Sequence, residues 1–140
     1  MRLAASMFVL LALGGCASAG RVRAISDSGN LRFNFDRGGK AVPVVGISVY
    51  EVKDGRRVKR VCDVRPISLW AKDIGSMGAW VYGQNAGSNY ALVECAPLKR
   101  GHDYGVDVRQ PGRCVSFTDF RLADDGAVSD LGPNGAVCGG

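Results

Sequence analysis

Short segments in which apolar and polar residues alternate, separated by glycine-rich turns, constrain the fold of this chain more than any other feature. Residues 31–36 alternate with a period of two, which is typical of a strand with one buried face. Residues 42–52 are apolar on both parities, as expected for a central strand that is covered on both sides. Glycine accounts for 20 of the 140 residues, which favours tight turns over long helices. The pattern predicts an all-β fold.

The same alternation, together with turn signals, places the other elements. Gly38-Gly39, Asp54-Gly55 and Asp125-Gly126 are each expected to turn the chain. Residues 66–75 are compatible with a short helix that Ser68 caps and Gly75 ends. Further strands are predicted over residues 57–64, 79–82, 90–98, 103–109, 115–122 and 127–131.

Four cysteines beyond residue 16 indicate two disulfide bonds. They are Cys62, Cys95, Cys114 and Cys138, and no two of them form a Cys-x-x-Cys pair. The spacing therefore supports neither a zinc site nor a thioredoxin-like redox motif. Three connectivities are possible. We favour Cys62–Cys95 with Cys114–Cys138, because these pairs close loops of moderate length without crossing. Each bond is expected to stabilise the fold by about 2 to 4 kcal/mol.

The amino-terminal segment is similar to the signal of bacterial lipoproteins. Arg2 precedes an apolar run over residues 3–13, which is shorter than the about 20 residues that span a membrane. The motif Leu13-Gly14-Gly15-Cys16 resembles the lipobox of that family. The resemblance implies that Cys16 is lipidated, that residues 1–15 are a cleaved signal peptide, and that residues 16–20 form a tether to a domain over residues 21–140. An ordinary secretory signal cut after Ala17 or Ala19 is the alternative.

The residue after the lipobox bears on localisation. By the sorting pattern of bacterial lipoproteins, Ala17 implies the outer membrane. We therefore expect a lipid-anchored protein on the periplasmic side of the bacterial outer membrane. Disulfide bonds are compatible with such an oxidising compartment.

A second resemblance concerns the fold. The segment Leu98-Lys-Arg-Gly101-His-Asp-Tyr104-Gly-Val106-Asp-Val108 resembles the E–F corner of fibronectin type III and immunoglobulin-like sandwiches. In that family the tyrosine hydroxyl bonds back to the backbone of the corner. The resemblance implies a disulfide-stapled sandwich of this type. Its strands B, C, C′, E, F and G would be residues 31–36, 44–52, 57–64, 90–96, 103–109 and 115–122.

No group of residues in the sequence indicates catalysis. His102 lies alone in the corner turn and has no second histidine or triad partner. Asp124-Asp125 precedes Gly126, so a turn accounts for this pair better than acid–base chemistry does. We therefore expect no enzymatic activity, no catalytic residues, no metal site and no cofactor.

Two sets of residues are candidates for binding. Trp70, Trp80, Tyr82 and Tyr90 concentrate in residues 66–90, and such aromatic side chains often anchor interfaces. The alternative is that they complete the core of a small β domain. Residues 56–60, Arg-Arg-Val-Lys-Arg, are the next candidate. On an exported lipoprotein we interpret them as a solvated strand edge, or as a contact to anionic lipid or an acidic partner, rather than as a nucleic-acid site.

These observations lead to a hypothesis about function. The leading expectation is a non-catalytic binding module, or an accessory of an envelope assembly, with a protein partner in the cell envelope. One alternative is a periplasmic inhibitor or immunity protein that blocks a toxin or lytic enzyme. Another is a domain that binds carbohydrate or peptidoglycan.

Overall fold

The computed structural model describes residues 19–68, 70 and 74–139, and this part of the chain is all-β. The predicted signal peptide and Cys16 lie outside the described residues, as do four residues of the possible helix at 66–75, namely 69 and 71–73. The strands are β1 (Arg21–Asp27), β2 (Asn30–Asp36), β3 (Val42–Pro43), β4 (Gly46–Lys53), β5 (Arg56–Pro66), β6 (Ser76–Met77), β7 (Ala79–Val81), β8 (Tyr90–Val93), β9 (His102–Gln110), β10 (Cys114–Leu122), β11 (Val128–Asp130) and β12 (Gly135–Cys138).

The strands form two main antiparallel sheets. The large sheet has the order β11-β10-β9-β4-β5-β8, and β12 pairs with the other half of the β10 edge beside β11. The small sheet has the order β1-β2-β7. A short pair, β3 with β6, lies apart from both. The result is a β-sandwich-like arrangement.

Tight turns join consecutive strands where the sequence carries glycine. Asp54 and Gly55 both have positive φ, 52° and 71°, as a type I′ turn between β4 and β5 requires. Ser28 and Gly29, at 50° and 82°, turn the chain in the same way between β1 and β2. Strand β1 was not among the predicted strands, because Val22 is the only large apolar residue at its buried alternating positions.

Aromatic rings join the two sheets in the core. Phe33 of β2 stacks on Trp80 of β7, with ring centroids 5.7 Å apart. It also meets Phe120 of β10 edge-on at 5.4 Å, which links the small sheet to the large one. The other large, fully buried side chains are mainly β-branched and come from both sheets and from the segment between β2 and β4: Val22, Val42, Val44, Ile47, Val49, Val64, Val106 and Val108.

The predicted tyrosine-corner contact is present. Tyr104 is 2% exposed, and the Lys99 amide donates a 2.8 Å hydrogen bond to its hydroxyl. Its ring stacks on Phe120 with centroids 5.7 Å apart. Leu98 packs against the core, and Gly101 adopts φ 77°, which favours glycine. The hydroxyl bond of Tyr104, the packing of Leu98 and the turn at Gly101 therefore all occur as the sequence indicated.

One strand lies elsewhere than predicted. The resemblance assigned residues 90–96 to strand E, which in immunoglobulin-like sandwiches belongs to the sheet of strands A, B and D. Instead β8 pairs with β5, and β7 takes the place beside β2, with Trp80 opposite Phe33. The disulfide between Cys62 and Cys95 also ties the chain after β8 to β5.

Both disulfide bonds have the favoured connectivity. Cys62 of β5 bonds Cys95, and Cys114 at the start of β10 bonds Cys138 at the end of β12. The two pairs hold the edges of the large sheet, one on each side. Within the described residues, no helix has the length and apolar character needed to cross a membrane.

Candidate functional site

The four aromatic residues predicted to form a binding surface do not lie together on one. Trp80 is 3% exposed, and its indole Nε1 donates to the carbonyl of Gln84 at 2.8 Å. Tyr90 is also buried, with its hydroxyl 2.7 Å from the carbonyl oxygen of Val44. For these two residues the prediction is wrong, and the alternative interpretation as core residues is correct. Both rings belong to the hydrophobic core.

The other two members of that set differ from each other. Tyr82 is partly buried against the core, and its hydroxyl donates a 2.6 Å hydrogen bond to the Ala96 carbonyl. Burial is the main cause that raises the pKa of Tyr82 well above its usual value. Trp70 is 72% exposed. Of the four aromatic residues, only Trp70 therefore exposes most of its surface to solvent.

The outer face of the large sheet carries a network of charges that alternation turns away from the core. Arg57 of β5 forms ion pairs with Asp107 of β9 and with Asp119 of β10, the latter at 3.5 Å. On its way it covers the ring of Tyr50, with the guanidinium carbon 5.2 Å from the ring centroid. The contacts of Arg57 thus link four adjacent strands, β5, β4, β9 and β10.

A glycine makes room for this crossing. Gly105 lies opposite Tyr50 on one side and Asp119 on the other. A Cβ on Gly105 would come within 2.9 Å of an Arg57 nitrogen and 2.7 Å of an Asp119 oxygen. Because Gly105 has no side chain, the Arg57 guanidinium can lie over the backbone at this position.

A second cluster surrounds Asp63 on the same face. The Ser48 hydroxyl donates to Asp63 at 2.8 Å, and Arg109 donates to Ser48 at 2.7 Å. Arg65 donates to the other carboxylate oxygen, and Arg60 lies 3.8 Å from it. Ser48 and Asp63 are buried beneath these arginines. Three guanidinium groups therefore enclose one carboxylate and one hydroxyl.

The protonation of Asp63 follows from these contacts. Burial by itself would raise the pKa of Asp63 because it disfavours the charged form. Hydrogen bonds from Arg65 and Ser48, with the charges of Arg109 and Arg60, outweigh that effect and lower the pKa below 3.8. Asp63 is ionised at neutral pH, and the cluster keeps an excess of positive charge.

The basic stretch lies on an uncovered part of a strand edge. β8 pairs with β5 only at residues 63–66, and the Ala96 amide bonds the Val61 carbonyl. Within the described part of the chain, no strand pairs with residues 56–60 on the side away from β4. We call this segment the basic edge. Its exposed cations are Arg56, Lys59 and Arg60, and Val58 between them is also exposed.

One sequence feature, an aspartate between two core residues of a strand, indicates the Asp63 cluster. Asp63 stands between the core residues Cys62 and Val64, and a buried carboxylate requires a cationic partner. Arg65 is close in sequence, but Arg109 is 46 residues away. Only the pairing of β4 with β9 brings that arginine to the site.

The described residues contain no group of three or more histidine, cysteine, aspartate or glutamate side chains suited to hold a metal ion. His102, the single histidine, lies 3.5 Å from Glu51 near the tyrosine corner.

Comparison with known proteins gave no match to a family model, to a curated protein or to a solved structure.

Proposed function

We propose that this protein is a lipid-anchored lipoprotein on the periplasmic face of the bacterial outer membrane. Its single disulfide-stapled domain acts without catalysis as a binding module for a protein partner in the cell envelope. The basic edge of β5 is the observation that carries the binding role. An uncovered strand edge offers backbone donors and acceptors, and its cations select an acidic segment.

Two observations support the anchor and the compartment. The lipobox places Cys16 four residues before Gly20, the second described residue of the chain. Both disulfide bonds are compatible with an oxidising compartment outside the cytoplasm.

The strand order supports a finer assignment of the fold. We infer a fibronectin type III-like sandwich in which β1-β2-β7 correspond to A-B-E and β5-β4-β9-β10 correspond to C′-C-F-G. The Tyr104 corner lies just before the strand that this assignment calls F. β8, β11 and β12 are additions at the edges of the large sheet.

The anchor is tested by replacing Cys16 with Ser in the full-length protein. We expect the wild type to fractionate with membranes and to incorporate labelled fatty acid, and the variant to do neither. A wild-type protein that is unlabelled and soluble in the periplasm would show that the lipoprotein assignment is wrong.

The basic edge is tested by photo-crosslinking in living cells. A photoreactive residue replaces Val58, which is 53% exposed between the cations of the edge. The matched control carries the same residue at Gln84, an exposed position outside the basic edge. We expect a specific adduct from position 58 only, and its loss when Arg56 and Lys59 are both changed to Glu.

The identity of the adduct separates the competing functions. A component of an envelope assembly supports the proposal, whereas a toxin or lytic enzyme supports the inhibitor alternative. Equal adducts from positions 58 and 84, or an adduct that survives the charge reversal, would contradict a binding role for the basic edge.

A further inference from the structure

The amino-terminal end of the described chain is fixed at one end of the sandwich. The Gly20 amide donates a 2.9 Å hydrogen bond to Gln110, and the Gln110 side-chain amide donates to the Gly20 carbonyl at 3.3 Å. Ser116 also bonds that carbonyl. Gly20 is buried, and a Cβ on it would collide with Val42. We call the end of the sandwich where Gly20 lies the tether end.

The tether end must stay close to any lipid on Cys16. Cys16 lies four positions before Gly20, and a fully extended chain spans at most about 14 Å over four positions. That distance is shorter than the domain itself, since the nine-residue strand β9 alone extends for about 30 Å. An acylated Cys16 would therefore bring the tether end to the bilayer surface.

The exposed charges at the tether end are predominantly positive. Arg21 begins β1, Arg37 and Lys40 flank the Gly38-Gly39 turn, and Arg113 lies in the turn between β9 and β10. All four of these cations are exposed. Among the described residues within 19–21, 36–45, 66–78, 87–90 and 110–114, the only acidic residue is Asp36. This excess of positive charge complements an anionic surface.

Exposed apolar side chains lie at the same end. Ile67 is 66% exposed and follows the end of β5, where its amide bonds the Asn89 carbonyl. Trp70 follows at 72% exposure. The neighbouring Tyr90 hydroxyl donates to the carbonyl of Val44, two residues before β4, which fixes this region at the tether end. Tryptophan prefers the boundary between headgroups and hydrocarbon.

We propose that the tether end is a membrane-docking surface. Arg37, Lys40 and Arg113 bind anionic headgroups, while Trp70 and Ile67 enter the interfacial layer of the bilayer. The proposal rests on the lipid anchor proposed above. Because β5 begins at Arg56 and reaches the tether end only at Pro66, docking at the tether end would hold the basic edge clear of the membrane.

Fluorescence of the acylated full-length protein tests this docking. The chain has two tryptophans, and Trp80 is in the core, so Trp70 is the one that can respond to lipid. The protein is reconstituted into vesicles of phosphatidylcholine alone or mixed with phosphatidylglycerol, each with lipids brominated near the headgroup. We expect strong quenching in the anionic vesicles, weaker quenching in the neutral ones, and loss of the lipid-dependent part in Trp70→Phe.

Matched charge reversals separate docking from general electrostatics. Changing Arg37, Lys40 and Arg113 together to Glu should remove the dependence on phosphatidylglycerol. The same change at Arg56, Lys59 and Arg60 alters the net charge equally, on the basic edge, and should leave the quenching unchanged. Each variant is compared with the wild type for its unfolding midpoint, so that a folding defect is recognised.

The outcomes distinguish this inference from the proposed anchor. Protein that carries the acyl mass and binds vesicles, but shows no quenching of Trp70, would overturn the docking surface and leave the anchor standing. Equal quenching in neutral and anionic vesicles, or equal effects of the two triple variants, would also overturn it. Wild-type protein without an acyl group on Cys16 would instead refute the anchor.

Discussion

Tyr104 is the residue at which a sequence motif and a tertiary contact coincide most closely. Its hydroxyl accepts the Lys99 amide at the corner, while its ring lies in the core against Phe120. The motif specifies the hydroxyl bond, which joins residues five apart in the chain, whereas the ring contact depends on Phe120 of the neighbouring strand β10.

Tyr104→Phe is expected to destabilise the domain by roughly 0.5 to 1.5 kcal/mol, because the Lys99 amide loses its acceptor in a partly buried site. Val106→Ala should cost more, because it leaves a cavity in the core. Denaturant unfolding measures both changes. Equal stability of Tyr104→Phe and the wild type would contradict a structural role for the hydroxyl bond.

Asp63 is the residue whose charge has the clearest link to stability. Its pKa is lower in the folded protein than in the unfolded chain, where it is near 3.8. The folded state therefore binds the proton less tightly than the unfolded state does. The stabilisation is fully present above the unfolded pKa and is lost as pH falls through the folded pKa.

Asp63→Asn should lower the free energy of unfolding at pH 7 by roughly 1.5 to 3 kcal/mol, the range for hydrogen bonds to a charged group. The difference in unfolding free energy between variant and wild type should narrow as pH falls from 3.8 through the lower pKa of Asp63 in the folded protein. Urea unfolding across this pH range measures the effect. A gap that stays constant with pH would show that the arginines around Asp63 do not act through its charge.

At the scale of elements, two arginines on the outer face of the large sheet each cross the backbone of a glycine. Arg57 passes over Gly105, and Arg109 lies against Gly46 on the neighbouring strand. These crossings join β5, β4, β9 and β10 by side chains in addition to the backbone hydrogen bonds. The two glycines thus provide the space in which the guanidinium groups of Arg57 and Arg109 lie.

Gly46→Ala tests the second crossing. A Cβ there would displace the Arg109 guanidinium and come within 3.1 Å of the Val64 carbonyl oxygen, so we expect a loss of roughly 1 to 3 kcal/mol. Gly78→Ala is the control, since a Cβ at Gly78 has nothing within 4 Å, and its effect should stay within about 0.5 kcal/mol. Thermal or denaturant unfolding compares them. Similar stabilities for the two variants would argue against the crowding at Gly46.

For the whole molecule, the two disulfide bonds close the two sides of the large sheet. Mature protein alkylated without reductant should therefore show no modified Cys62, Cys95, Cys114 or Cys138 by mass spectrometry. The same protein alkylated after reduction and unfolding provides the control, in which all four are modified. Modification of two sites before reduction would leave one bond, and modification of all four would remove the argument for an oxidising compartment.

Features that depend on neighbouring residues were predictable from the sequence. The strands with strong alternation, the turns at Gly38-Gly39, Asp54-Gly55 and Asp125-Gly126, and the Tyr104 corner all form as expected. The favoured disulfide pairing was also correct. Period-two patterning and positive φ are local properties, so a single sequence carries them.

Features that depend on strand pairing were decided only by the tertiary structure. Trp80 and Tyr90 could have been a surface or a core, and the choice depended on β7 pairing with β2 and β8 pairing with β5. The Asp63 cluster needed Arg109, which the register of β4 against β9 supplies. Aromatic and charged side chains acquire their roles from neighbours that are distant in sequence, and alternation within one strand holds no information about which strand lies beside it.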